Sequence, residues 1–129
     1  MGIRTGIDIV EVGRIKRAAL RWKGGFLDKI FTRHEQVYAA RGAAIYQHLA
    51  ARFAAKEAVL KAFGGGHGKG IPWTDIEIRR AVSGQPEVCL HGRMKALQVK
   101  LGIREITVSM SHTRTYAVAS VVAIGGRGW

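Results

Sequence analysis

The chain has 129 residues, 47% of them hydrophobic, enough for one ordinary core and too few for two, so a single domain spanning 1–129 is expected. Lysine and arginine outnumber aspartate and glutamate by 21 to 9, a formal charge of +12 that draws anionic partners without choosing among nucleic acid, membrane surface, polyphosphate and acidic protein. The single cysteine, Cys89, excludes an intrachain disulfide and a thiolate zinc site, and no apolar stretch approaches the ~18–20 residues of a membrane span, so a cytoplasmic protein is expected.

Residues Ile3 to Val12 are largely β-branched and broken by Gly6, which predicts an edge or bulged strand carrying Asp8 and Glu11. Val12, Ile15, Ala19 and Trp22 then recur at helical spacing with Arg14, Arg17 and Arg21 on another face, so an amphipathic helix with a cationic side should run as far as Gly24-Gly25. Thr32 and Glu35 have the spacing of a capping box, in which each side chain satisfies a free backbone N–H, and a short helix should follow to Ala40. Ile45 to Phe63 lacks Gly and Pro and is rich in Ala, Leu, Lys and Glu, predicting one long helix of roughly 28 Å. It should end at Gly64-Gly65-Gly66.

Gly64 to Gly70 is low in complexity and divides helical from strand-like sequence. Asp75 to Arg80 alternates apolar and charged residues as a half-buried strand would, Ser83 to Pro86 is a turn signal, and Glu87 to Leu90 reads as the returning strand. Arg93 to Leu101 has helical composition with Gly102 placed as its C-terminal cap. Two closing strands, Glu105 to Met110 and Tyr116 to Ile124, should join around Ser111-His112-Thr113, leaving 125–129 as a frayed tail. The sum is an α+β domain with helices packed on a largely antiparallel sheet.

Four features bear on chemistry. Glu57 and Lys61 stand four apart on one helix face, which alone reads as a surface ion pair. Asp8 lies in the otherwise apolar run Gly6-Ile7-Asp8-Ile9-Val10, where a carboxylate is costly unless exposed, paired or metal-bound. Should Asp8 and Glu57 converge, they suit Mg²⁺, which takes one or two carboxylates plus waters and phosphate oxygens; zinc is not suited, for lack of an HExxH or a Cys/His cluster. The glycine loop is no nucleotide P-loop, because Phe63 stands five before Gly68 and Gly70 replaces the required Ser/Thr. Its glycines would still let the backbone approach a phosphate, with Lys69 adding charge. His112 has no nearby acid to support a Ser/His/Asp reading.

Together, Gly6 to Val12 with Arg14, Arg52 to Ala58 through Lys61-Ala62-Phe63-Gly64, and Ser109 to Thr113 with Tyr116-Ala117 resemble the holo-acyl-carrier-protein synthase family of 4'-phosphopantetheinyl transferases in order and spacing. Arg4 stands where the family more usually has glycine, a change that leaves Asp8 in place. The resemblance implies a phosphopantetheinyl-transferase-like fold and Mg²⁺-dependent transfer of the phosphopantetheine arm of coenzyme A to a serine of an acyl carrier protein, with release of 3',5'-ADP. It further implies that Asp8 and Glu57 bind the metal together with the coenzyme A pyrophosphate and that Lys61 contacts phosphate and stabilises or protonates the departing 3',5'-ADP. Arg52, Lys56, Gly64 and His112 become coenzyme A neighbours beside Asp8, Glu57 and Lys61. Either Glu57 or a metal-held water takes the serine proton. Arg14, Arg17 and Arg21 match the family's carrier-docking helix, which suits an acidic partner. Homotrimers with intersubunit sites, and carriers of fatty-acid or polyketide assembly, are likewise implied. Two rivals are a basic nucleic-acid-binding protein, supported by charge alone, and an Mg²⁺-dependent phosphodiesterase using the same carboxylates.

Overall fold

The computed structural model describes residues 2–22, 24–65 and 70–126, so Lys69 and most of the glycine loop lie outside the described residues. Strand β1 (Gly2–Glu11) runs directly into helix α1 (Val12–Trp22), and two short helices follow, α2 (Gly24–Ile30) and α3 (Arg33–Ala39). The long helix α4 (Ile45–Ala62) precedes a 3₁₀ turn at Trp73–Asp75 and the hairpin of β2 (Ile76–Arg80) and β3 (Pro86–Leu90). Helix α5 (Gly92–Leu101) leads into a second hairpin, β4 (Ile103–His112) and β5 (Tyr116–Gly125). The α+β class is as expected.

β5 is the middle strand of an antiparallel sheet ordered β1-β5-β4, while β2 and β3 form a separate pair. One face of the larger sheet carries Gly6, Val10, Ala117, Ala119, Val121 and Ala123, all buried. Helix α4 lies across this face with Ala50, Ala51, Ala54, Ala55, Ala58 and Ala62 buried. Alanine has the highest helix propensity and the smallest apolar side chain, so this surface lets helix and sheet approach closely. The approach is tightest at Gly6, where an added Cβ would fall 1.9 Å from the Ala58 carbonyl oxygen. The glycine that reads as a bulge in the sequence is a contact point between two backbones.

The capping box forms as expected: Glu35 N–H donates to Thr32 Oγ1 at 3.2 Å, and Thr32 N–H to Glu35 Oε1 at 2.8 Å. Gly102 caps α5 in the left-handed conformation at φ 71°. Helix α4 ends one residue early, and Gly64 and Gly65 turn away at φ 103° and 68° while Gly65 N–H closes on the Leu60 carbonyl.

Helix α1 ends at Trp22, ahead of Gly24-Gly25 as expected, and α2, which the sequence did not announce, begins at Gly24; burial of Ile30 and packing of Phe26 and Leu27 on the core outweigh the cost of two glycines. Two expectations need correction. Trp22 is 61% exposed and is not part of the buried stripe formed by Val12, Ile15 and Ala19. Gly125 belongs to β5 and Gly126 N–H donates to the Gly102 carbonyl, so the first two residues of the expected frayed tail are hydrogen-bonded; 127–129 lie outside the described residues.

Candidate active site

Side chains alternate along a strand, so Asp8 shares with Gly6 and Val10 the face of β1 that meets α4. Its position opposite Ala119 leaves room beside it. The α4 surface that reaches over this end of the strand carries Glu57 and Lys61. Lys61 Nζ donates to Asp8 Oδ1 and to the Ile7 carbonyl, each at 3.0 Å, with the Asp8 side chain 17% exposed and that of Lys61 52% exposed.

Glu57 is half-buried, and its carboxyl is pushed above the usual range, first by burial and then by the Asp8 charge, against the opposing pull of Lys61 and Arg14. That coupling places Asp8, Glu57, Lys61 and Arg14 within one electrostatic neighbourhood. Two carboxylates and two cations, from β1, α1 and α4, therefore act on one another here. Lys61 sits in the last turn of α4, where a cation is favoured by the helix dipole.

The donor set can be tested against Mg²⁺. Asp8 and Glu57 offer hard oxygen ligands, and among the described residues no group of three or more His, Cys, Asp or Glu comes together. A two-carboxylate site whose remaining positions go to water and to substrate phosphate is what Mg²⁺ accepts, so the residues fit the ion.

Lys56, immediately before Glu57 on α4, and Arg52, one turn before Lys56, face elsewhere. Lys56 is fully buried; its ammonium pairs with Glu35 Oε1 at 2.8 Å and donates to the carbonyls of Trp73, at 3.3 Å, and Ile76. Expected beside a ligand, it is instead engaged on every side within the chain. Arg52 is 1% exposed, stacks on the Tyr38 ring at 4.3 Å and has Nε without a hydrogen-bond partner.

Around Arg52 the structure gathers groups that the sequence did not single out. Arg41 and Arg80 also flank Tyr38, at 5.8 and 5.5 Å, and His48 stacks edge-on against Tyr38 and against His112, at 5.5 and 5.6 Å. Burial pushes the His48 imidazole below its ordinary value, and the charges of Arg52, His112 and Arg80 add to the effect. The i, i+4 spacing of His48 and Arg52 on one helix was the available signal. His112 itself ends β4, paired with Ala117, and does not lie in the bend; the turn is made by 113–115, with Thr113 Oγ1 accepting from Thr115 and Tyr116 N–H. Gly64 is exposed at the end of α4 beyond Lys61. Arg14, Arg17 and Arg21 are exposed on α1.

The model of the 4'-phosphopantetheinyl transferase superfamily matches residues 4–121. The chain belongs to this superfamily. Among its relatives, a holo-[acyl-carrier-protein] synthase of Ruminiclostridium cellulolyticum is 48% identical over 97% of this chain and 95% of its own length, and one of Syntrophus aciditrophicus is 43% identical over 94% of each. The fold is that of solved members. The Helicobacter pylori holo-[acyl-carrier-protein] synthase in complex with coenzyme A superposes with a TM-score of 0.81 at 32% identity, covering 93% of this chain and 99% of that one. A coenzyme A complex of the corresponding Chronobacterium ammoniagenes protein gives 0.86 at 27% identity, covering 98% and 100%.

Proposed function

We propose that this protein is a holo-acyl-carrier-protein synthase, moving the 4'-phosphopantetheine arm of coenzyme A onto a serine of an acidic acyl carrier protein with release of 3',5'-ADP. The observation that carries the reading is the Asp8–Lys61 contact at 3.0 Å, with Glu57 one turn back from Lys61 on α4 and coupled to Asp8, in a chain of this family. Relatives crystallised with coenzyme A support the choice of donor.

Asp8 and Glu57 would hold Mg²⁺ against the diphosphate, and the ion supplies charge neutralisation at the phosphoryl oxygens. The serine oxygen attacks the phosphorus that bears pantetheine, and the bridging P–O bond to the adenosine phosphate breaks. In this reading the Glu57 carboxylate takes the serine proton as general base. Lys61, released from Asp8, counters the charge that develops on the departing 3',5'-ADP. Most of the acceleration in such a transfer comes from positioning and charge stabilisation, which is why no nucleophile is needed on this chain.

Arg52 and Arg80 bring cationic charge beside His112, a cluster suited to the outlying phosphate of coenzyme A, and Gly64 lies exposed beyond Lys61. Arg14, Arg17 and Arg21 would dock the acidic carrier, with Arg14 already beside Glu57. The reading includes a homotrimer and a cytoplasmic setting. Among the described residues no helix is long and apolar enough to cross a membrane.

The test is mass spectrometry of an apo-carrier incubated with the protein, coenzyme A and Mg²⁺. One added phosphopantetheine, absent with chelator, is expected. Hydrolysis of coenzyme A without any carrier would instead support a phosphodiesterase.

A further inference from the structure

The proposed mechanism leaves one pair of charges unused. Lys56 and Glu35 both have no exposed surface and meet at 2.8 Å. Glu35 additionally accepts from the backbone N–H of Thr32 at 2.8 Å and of Ile78 at 2.9 Å, so its carboxylate joins the start of α3, β2 and α4. Lys56 binds the carbonyls of Trp73 and Ile76, adding the 3₁₀ turn and the first residue of β2. Thr32 Oγ1 extends the network to Glu77 at 2.7 Å.

Stability alone does not explain such a pair, because exchanging a buried ion pair for apolar groups of similar volume is often neutral or favourable. What an ion pair does impose is direction. The alanine face of α4 offers few shape features to fix how far the helix is turned about its axis. Lys56 is the immediate neighbour of Glu57 in the chain and points about 100° away from it around the helix. A carboxylate about 6 Å from the helix axis moves by about 1 Å for each 10° of rotation, a displacement of the size that costs enzymes about 100-fold in rate.

Resting on the reading of Asp8 and Glu57 as the cation site, we propose that the buried Glu35–Lys56 pair is a positioning device that locks the rotation of α4 and so aims Glu57 at Asp8, and that Lys56 does not touch coenzyme A. Lys56 is a positioning residue here, acting through Glu57.

The experiment compares the parent, Lys56→Met, the double variant Glu35→Gln/Lys56→Met and an Asp8→Asn control. Lys56→Met alone strands the Glu35 charge and is expected to melt early; the double variant removes both charges and restores the melting temperature. Mn²⁺ binding by electron paramagnetic resonance in the presence of coenzyme A, coenzyme A binding in chelator by calorimetry, and transfer kinetics are measured on each folded protein. The double variant should bind Mn²⁺ about 10- to 100-fold more weakly and lose kcat by a similar factor, with coenzyme A binding in chelator unchanged. Parent-like Mn²⁺ affinity and kcat in the double variant would show the pair to be structural only. Weakened coenzyme A binding in chelator would make Lys56 a ligand contact. Equal Mn²⁺ binding by the parent and the Asp8→Asn control would remove the cation site, and the proposal with it.

Discussion

Asp8 and Glu57 repel each other, and Lys61 and Arg14 keep the half-buried pair tolerable. Neither carboxylate supports packing, so truncation should leave the fold intact while removing a ligand of the cation. Asp8→Ala and Glu57→Ala should each reduce transfer by at least about 100-fold, with circular-dichroism melts close to the parent's. His48 gives a prediction in pH. Its imidazole sits between Arg52 on its own helix, Tyr38 on α3, His112 on β4 and Arg80 on β2, and its affinity for a proton is held below the ordinary value of 6.5 by burial first and these cations next. The unfolded chain then binds more protons than the native one just below pH 6.5, so stability is full above that pH and is lost as pH falls through the lower folded value. His48→Gln should flatten the dependence of melting temperature on pH in this window. The lower-pH loss expected from Glu77, held below 4.5 by bonds from Thr32, His91 and Arg79, should persist.

Helix α4 and strand β1 show what could and could not be read from the sequence alone. Composition marked the helix, and an aspartate in an apolar strand marked the site, because both signals are local. The depth at which Arg52 and Lys56 sit was not legible. Charged residues at i, i+4 ordinarily face solvent, and the partner that allows Lys56 to be buried is Glu35, 21 residues upstream on another helix. The capping box that marks the start of α3 also supplies that partner, and sequence spacing shows only the first role. Helix α2 was hidden for a related reason, since its glycines argue against a helix and only tertiary burial argues for it. The same dependence on tertiary contact makes Gly6 a sharp test. A methyl there would meet the Ala58 carbonyl at 1.9 Å and lie 2.9 Å from Ala62 N, both backbone atoms that cannot swing away. Gly6→Ala should therefore lower stability by about 1–3 kcal/mol and, by pushing α4 off β1, separate Glu57 from Asp8. Chemical denaturation measures the first effect. A fall in activity larger than that of the unfolded fraction measures the second.

At the scale of the whole molecule, the larger sheet has one face covered and one bare. The inner face meets α4; the outer face presents Ile3, Ile7 and Ile9, which are 68%, 64% and 64% exposed, in one line along edge strand β1. Pairing sets Ile3 beside Ile124 and Ile9 beside Val118 on β5, so the apolar strip widens across the neighbouring strand. A continuous patch of this kind on an edge strand is the surface the proposed homotrimer would use. Opposing it is a formal charge of +12 on every copy, which favours separation at low salt. In the proposed homotrimer, burial of these isoleucines would offset the repulsion at ordinary ionic strength, since each fully buried aliphatic side chain contributes about 1.5–3 kcal/mol while exposed like charges are screened over about 8 Å. If the homotrimer is correct, sedimentation equilibrium should give three times the 14.1 kDa chain mass. Ile7→Asp/Ile9→Asp places charges in the middle of the strip without touching the inner face, so the variant should sediment as a monomer with its far-ultraviolet spectrum retained. A neighbour that completes each site would make transfer fall with the oligomer on dilution, whereas a monomeric variant of full activity would confine the whole site to one chain.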